Sequence, residues 1–454
     1  MSSPACQEPR CAGRLLVTVF LVALAGHVLA EPPSAPPPAA LPQPLTLEAA
    51  LGLADAMHPD LLLAQAALDG ALAEQQAIVA RNGFNADLEA RLRWIDPLPT
   101  AIDQSVADHR LALFLSKTLY DFGYSRASLA SAEHQVRVRQ YLLTAARQQR
   151  RIEIMQRYFD VLLADLRFLR DNEAMAMEYV TLDKLRNQQE LGQISDLAVL
   201  EQEAAYQRMR QRWVTTQHRQ RLTRNYLAVA LNHPREVPGE LVPPSLGPWP
   251  EELPEVETLQ AEALENNLEL RALRASLDAA REQLVAAGSV HGPVLRGEAA
   301  AFEQSREIGS RERWRAGVVL ELPLLDGGES DAAVAQAQAE VFRLEAELAR
   351  REQIIRLGVL DLWMKLDGLR IQREGVEAEL DYRELYLDEA RSLYEMEVRA
   401  RLGDAMVRIT DAQLAEMEAQ LQTELAWAQL HVLLGRQPRA ADGGVRQPLK
   451  ERVR

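Results

Sequence analysis

The sequence has few of the residues on which compact enzymes depend. Aromatic residues make up only 5% of the 454-residue chain. Ala, Glu, Gln, Leu and Arg dominate instead, and that composition is typical of long helices rather than compact cores. The two cysteines, Cys6 and Cys11, both lie near the start of the chain. The remainder therefore has no thiol for a disulfide, for redox chemistry or for nucleophilic catalysis.

Motifs for catalysis and metal binding are also lacking. The eight histidines are scattered, without the H-E-x-x-H spacing of zinc peptidases. The sequence has no P-loop and no G-x-S-x-G nucleophile motif. The formal net charge is -15, whereas a phosphate-binding surface needs clustered positive charge. We therefore expect no enzymatic activity, no cofactor and no nucleic-acid partner.

Long apolar runs are confined to the N-terminus. Arg10 and Arg14 precede the apolar run Leu15–Ala25, a pattern that predicts a signal peptide over residues 1–30. A Pro- and Ala-rich leader is predicted over residues 31–44, and no cysteine lies at the cleavage point to carry a lipid. Further along, no stretch approaches the ~20 apolar residues of a spanning helix. Any insertion into a membrane would therefore have to use strands.

An internal duplication organises the rest of the chain. The segment Leu119–Ala127 (LYDFGYSRA) returns as Leu324–Ala332 (LLDGGESDA), and alignment at an offset of 205 gives eight identities in eighteen positions. Offsets of 209 and 211 align segments upstream and downstream in the same order, which indicates duplication. The predicted parts are a first repeat, a linker with seven prolines, a second repeat and a C-terminal tail, at residues 45–232, 233–255, 256–436 and 437–454.

Each repeat contains a helix too long for a small domain. Ser125–Glu190 has no Pro or Gly across 66 residues and could extend roughly 100 Å. A break at Leu191–Ile194 separates it from a second unbroken segment, Ser195–Leu231. The duplication predicts Glu329–Ala400, a break at Leu402-Gly403 and Met406–Leu434 in the second repeat. Helices this long need partner helices along their length, as in a coiled coil.

Between the helices the apolar pattern changes to a period of two. Phe84–Ile95 and Arg110–Tyr120 alternate strictly enough to predict strands, and the repeat offsets carry both patterns into the second half. Lys117 and Glu303 are exceptions on the apolar side. Half-buried hairpins of a soluble protein would show the same alternation. Strand lengths of ~10 residues and charges confined to one face favour membrane strands, and four strands cannot close a barrel without further copies.

The ordered set of motifs resembles the TolC-like outer membrane efflux protein family over nearly all of residues 45–436. The motifs are Leu45–Ala50, the two L-x-D-x-G phrases, Tyr158–Ala164, Leu191–Ser195 and Asp411–Gln413. The resemblance implies an α+β membrane protein with four transmembrane β-strands and long α-helical coiled-coil hairpins in each chain. Three chains would close a trimeric twelve-strand β-barrel above a twelve-helix periplasmic α-barrel.

The function that the resemblance implies is that of an outer-membrane channel. Such a channel serves a tripartite efflux pump or a type I secretion system and conducts substrates passively to the cell exterior. The implied partners are two further copies of the chain, a periplasmic adaptor (membrane fusion) protein, an inner-membrane transporter and outer-membrane lipid. The alternative is a soluble periplasmic coiled-coil adaptor or structural protein.

Candidate functional residues fall into four groups. Asp121, Gly123, Asp326 and Gly328 lie where a strand meets a helix, where a carboxylate can cap the helix start. The resemblance implies periplasmic tips that dock the adaptor, at Leu191, Gly192, Ile194, Ser195, Leu402, Gly403 and Met406. It also suggests entrance-gate carboxylates at Asp196, Asp404 and Asp411. The polar strand faces would line the barrel interior with Asp87, Glu89, Arg91, Arg93, Arg110, Arg296, Glu298, Arg315 and Glu321, whose mixed signs favour a wet pore without strong charge selection.

Overall fold

The structure, a computed structural model, describes residues 41–55, 58–245, 252–306, 312–396 and 402–438. The predicted signal peptide and most of the predicted leader and tail lie outside these residues. Within the described residues, twelve elements follow in chain order: α1 Leu47–Gly52, α2 Pro59–Arg81, β1 Asn85–Arg91, β2 Arg110–Tyr120, α3 Tyr124–Glu190, α4 Asp196–Ala230, α5 Val256–Asn266, α6 Leu268–Ser289, β3 Val294–Gln304, β4 Trp314–Glu321, α7 Glu329–Glu395 and α8 Leu402–Leu433.

The same order of elements occurs twice, two helices, two strands and two helices. α3 and α7 each contain 67 residues, which corresponds to about 100 Å of helix. The helix before the strands is divided in both repeats. His58 caps α2 by accepting from the backbone N–H of Asp60, and Asn267 caps α6 by accepting from Glu269. These two capping residues stand at the offset of 209 by which the repeats align.

The four strands form one antiparallel sheet in the order β1-β2-β3-β4. Sequential neighbours pair throughout, and β2 joins the two repeats by pairing with β3. β1 ends at Arg91, earlier than the predicted Ile95, because the ladder beyond it is reduced to an isolated bridge between Trp94 and Ala107. The predicted fold class of four strands and long helical hairpins in each chain is confirmed.

The helices pack around α3, which contacts α2 and α6 near the sheet and α4 and α8 further along. α7 contacts both α6 and α8, so it completes one side of the helical layer. Among the described residues, no helix is apolar enough over the length needed to cross a membrane. α2 and α4 pack against α3, and α7 packs against α6 and α8. The helical layer therefore has two open sides, one formed by α2 and α4 and the other by α7.

The largest buried cluster lies midway along α3, where the two connecting segments meet. Leu45, before α1, forms a parallel bridge with Leu241 of the linker. Tyr158 of α3 is fully buried beneath them, and its hydroxyl lies 2.8 Å from the carbonyl oxygen of Leu45 and 2.6 Å from that of Val242. Burial raises the pKa of Tyr158 to about 12. One hydroxyl thus joins both connecting segments to the middle of the long helix.

Candidate functional site

The pairing register divides the sheet into one charged face and one apolar face. Opposite residues in an antiparallel pair point to the same side, so the register fixes the faces across all four strands. Ser116 pairs with Asn85 and with Glu298, whereas Leu115 pairs with Ala86 and with Ala299. The polar positions of each strand are thereby in line with the polar positions of the next.

Eight of the nine predicted lumen-facing residues lie on that charged face within the strands: Asp87, Glu89, Arg91, Arg110, Arg296, Glu298, Arg315 and Glu321. The ninth, Arg93, follows β1, and its Nε donates to the Asp108 carboxylate at 2.9 Å. The structure thus brings this group together on one surface. That the surface lines a pore remains a prediction.

The two charged exceptions lie on the apolar face near the strand ends. Lys117 is close to the end of β2 that leads into α3, with its ammonium 4.5 Å from the centre of the Phe84 ring. Glu303 is next to the last residue of β3. Both positions suit a membrane interface, where a long charged side chain can reach polar surroundings.

The two strand-helix joints have the same geometry. Asp121 accepts hydrogen bonds from the backbone N–H and the hydroxyl of Ser125, and Asp326 accepts from the same groups of Ser330. Gly123 and Gly328 precede α3 and α7 with φ of 101° and 91°, a left-handed conformation that glycine adopts without strain. Each aspartate thus occupies N–H groups that the helix leaves free at its start.

One further side chain contacts each joint, from a residue just after the helix that precedes the strands. The Ser125 hydroxyl lies 2.8 Å from Asn82 Oδ1, and His291 Nε2 lies 2.8 Å from Asp326 Oδ2. Asn82 and His291 are equivalent at the offset of 209. Hydrogen bonds from Ser330 and Gly328, together with the nearby His291, lower the pKa of Asp326 to about 2. The joint at the start of α7 therefore holds a carboxylate, Asp326, that stays ionised at moderately acidic pH.

Replacing Asp326 by alanine should destabilise the start of α7 at pH 7, because the helix loses the carboxylate that accepts from its free N–H groups. The native pKa lies below that of an unfolded carboxyl, so the stabilisation is present above about pH 4 and is lost as the pH falls toward 2. Thermal unfolding of the wild type and of Asp326→Ala should converge over that range. Glu329→Ala, on the exposed first residue of α7, is the control. A constant difference at all pH values would contradict the capping role.

The first helical hairpin turns tightly at the residues predicted for a periplasmic tip. Gly192 has φ of 71° and donates to Gln189 O, while Gln193 donates to Gln188 O, the two bonds of a Schellman motif. Ser195 caps α4 by accepting from Ala198. Leu191 at this turn is largely exposed, and Ile194 is partly buried. The tip is closed by backbone hydrogen bonds and presents apolar surface to solvent.

The predicted break at Leu402-Gly403 is wrong. α7 ends at Glu395 and α8 begins at Leu402, so Gly403 and Met406 lie within the first turns of a helix. The segment between the two helices lies outside the described residues. Gly403 is buried against the side chain of Met177 from α3, in the space that a Cβ would occupy. A glycine in the sequence suggested a turn, but here its role is to let two helices approach closely.

The three gate candidates have different surroundings. Asp196 accepts a hydrogen bond from Gln189 across the first hairpin turn at 2.7 Å. Asp404 pairs along its own helix with Arg408, and this hydrogen bond raises the pKa of Arg408. Asp411 instead crosses to another helix, where its carboxylate lies 3.2 Å from the Arg170 guanidinium of α3.

Arg170 links Asp411 to a buried carboxylate that sequence analysis missed. Asp171 is 1% exposed and lies 2.7 Å from Arg170 and 3.3 Å from Arg212 of α4. The four alternating charges join α8, α3 and α4 at one level. No periodicity in the sequence indicated that Asp171 is buried, because long helices carry charges on most faces. Among the described residues, no group of three or more His, Cys, Asp or Glu is placed to hold a metal ion.

These features define a class of protein. A sheet that is apolar on one side and charged on the other, joined by glycine turns to 67-residue helices, is the arrangement expected of an outer-membrane channel subunit. Residues 259–436 match the outer membrane efflux protein family. The resemblance predicted from the sequence motifs is thereby confirmed over this part of the chain. Comparison with curated protein sequences gives no match.

Solved outer-membrane proteins share the fold. VceC of Vibrio cholerae is 18% identical with a TM-score of 0.68, over 87% of this chain and 97% of that one. CmeC of Campylobacter jejuni is 14% identical with a TM-score of 0.68, over 87% of each chain. MtrE of Neisseria gonorrhoeae, in an open state, is 18% identical with a TM-score of 0.67, over 87% of this chain and 89% of that one.

Proposed function

We propose that three copies of this chain close a barrel in the outer membrane and conduct solutes passively from the periplasm to the exterior. The observation that carries the proposal is the sheet itself. Its edges are β1 and β4, and in lipid an open edge would leave backbone N–H and C=O groups unpaired. Pairing β1 of one copy with β4 of the next satisfies both edges, and the family resemblance sets the number of copies at three.

The open sides of the helical layer support the same assembly. α2 lies below β1 and exposes Leu63, which is 71% accessible, while α7 lies below β4 and exposes Phe342 and Leu357 at 70% and 66%. Exposed apolar side chains on both open sides favour burial against another copy. The strand edges and the helix edges would then be covered by one interface that runs the length of the molecule.

We assign the hairpin tips to docking of a periplasmic adaptor that connects the channel to an inner-membrane transporter. The first tip supports this through its exposed apolar residues, Leu191, Leu197 and Leu200. Those leucines suit an apolar partner surface, and the hydrogen-bonded turn at Gly192 holds them in place. The second tip would contribute Leu402 and Met406, from the first turns of α8.

Of the three gate candidates, we propose that Asp411 restricts the entrance. Asp404 is engaged along its own helix and Asp196 across its own hairpin. Asp411 is the one that connects two hairpins, through Arg170, so it can hold α8 against α3. A change in that contact would alter the spacing of helices that line the periplasmic entrance.

Cell fractionation tests the proposal. The full-length protein, expressed in a Gram-negative host, should accumulate in the outer membrane, and its mass in detergent should be three times that of one chain. A monomer in the soluble periplasmic fraction would instead indicate the coiled-coil adaptor or structural protein.

A further inference from the structure

Four arginines converge at the end of the charged sheet face that is farthest from the helices. Arg91, Arg93, Arg110 and Arg315 line an open cavity of about 330 Å³ together with two carboxylates, Asp108 and Glu312. With Glu89, which pairs with Arg91, four cations meet three anions, so this end of the face has a small positive excess. The strands run antiparallel, and Arg91 lies directly opposite Arg110. The register therefore concentrates cations that are widely separated in the sequence.

Two of the four guanidinium groups are not neutralised by a carboxylate. Arg91 pairs with Glu89 at 2.6 Å, and Arg93 pairs with Asp108. Arg110 and Arg315 instead lie over the ring of Phe302, at 4.7 Å and 5.5 Å from its centre. Among the described residues, neither has an ion-pair partner.

An aromatic ring stabilises a cation but accepts few of its N–H groups. The Nε of Arg110 is enclosed and has no hydrogen-bond partner within the described residues. The Phe302 ring is itself held by an edge-to-face contact with Phe114, with ring centres 5.9 Å apart. The Phe302 ring thus positions both guanidinium groups. Their N–H donors still require hydrogen-bond acceptors.

Positive and negative side chains alternate along the rest of the same face. Asp87 lies at the register level of Phe114, Ala300 and Arg315. Closer to the helices, Glu298 and Glu321 are opposed by Arg296. The signs are mixed in the sequence, which favoured a pore without strong charge selection. In the folded sheet the signs remain mixed along most of the strands, with a local excess of arginine at the outer end around Phe302.

We infer that Arg110 and Arg315, around Phe302, form an oxyanion site at the outer mouth that receives carboxylate or phosphate groups of departing solutes. Guanidinium groups recognise such oxyanions through paired N–H donors. The inference rests on the proposed function, which places this face inside a barrel. Twelve strands ~4.8 Å apart and tilted about 40° enclose a diameter of roughly 24 Å. The three sites, one in each copy, would then lie within about one Debye length of the barrel axis.

The test uses the full-length trimer in planar lipid bilayers, with citrate or inorganic phosphate added on the side of the outer mouth. Both probes should reduce the KCl current of the wild type. The double variant Arg110→Gln/Arg315→Gln should raise the half-blocking concentration by about tenfold or more. Arg296→Gln removes one charge from the inner end of the same face and should change block by less than about twofold. The probe that blocks at the lower concentration identifies the preferred oxyanion.

A charge-conserving variant distinguishes a specific oxyanion site from a general electrostatic attraction of anions. Arg110→Lys/Arg315→Lys keeps both charges but loses the paired donors, so it should weaken block while leaving the KCl reversal potential near that of the wild type. Equal block in the wild type and both double variants, or no block by either probe, would overturn the inference. Trimers that insert but carry no current in any form would refute the proposed function instead.

Discussion

Replacing Leu115 by arginine should prevent assembly in the outer membrane, whereas the same replacement at the adjacent Ser116 should be tolerated. Both residues lie at the middle of β2, but they point to opposite faces of the sheet. An arginine facing lipid at mid-bilayer costs about 2–4 kcal/mol per chain, and a symmetric trimer would bear that cost three times. At Ser116 the new guanidinium would face Glu298 and water.

The measurement is the amount of trimer in the outer-membrane fraction at matched expression. Phe114 would be a poorer comparison than Ser116, because its ring packs against Phe302 and its loss would also disturb the charged face. The adjacent pair receives the same new side chain at nearly the same depth, on opposite faces of the sheet. Equal loss of trimer in Leu115→Arg and Ser116→Arg would contradict the assignment of faces.

The second large effect is expected at the charge network between the hairpins. Arg170→Met should destabilise the helical part by about 3–5 kcal/mol, because it leaves the buried Asp171 with only the more distant Arg212. The double variant Arg170→Met/Asp171→Leu should recover most of the loss, since it removes the unpaired carboxylate as well. Thermal unfolding followed by circular dichroism at 222 nm measures both.

Arg343→Met provides the control for this network. Arg343 pairs with Glu340 and Glu347 on the exposed surface of α7, and solvent screens such pairs, so Arg343→Met should lower stability far less than Arg170→Met. If the double variant were as unstable as Arg170→Met, the cost would come from lost packing rather than from a buried charge. The network would then have no electrostatic role in joining α8 to α3.

Much of the architecture could be predicted because the sequence contains it as an internal duplication. Strict alternation identified β2, and the offset of 205 carried that strand and the start of its long helix into the second repeat. The same offset relates both ends of α3 to both ends of α7. Two copies of a weak pattern are informative because each copy tests the other.

The errors arose where one residue type serves two physical purposes. Gly192 forms a left-handed turn, and Gly403 was given the same role although it provides room for Met177. Applying the offset of 205 to Leu191 would have placed the second turn at Met396, upstream of Gly403. Phe122 adopts a left-handed φ of 53°, a conformation that its equivalent Gly327 could have indicated.

The oxyanion site could not be predicted because it depends on register between strands. Arg110 and Phe302 come from different repeats, and only the pairing of β2 with β3 brings them together. Alternation assigns a residue to a face but does not say which level of the neighbouring strand it meets. The burial of Asp171 depends similarly on the packing of three helices.

Single-channel recording tests the central claim most directly. Purified trimers of the full-length protein, added to a planar lipid bilayer in KCl, should insert and produce discrete current steps through a permanently aqueous lumen. Trimers that insert without any conductance, including after the Arg170–Asp411 contact is removed by Asp411→Asn, would contradict the claim that this chain builds an export channel.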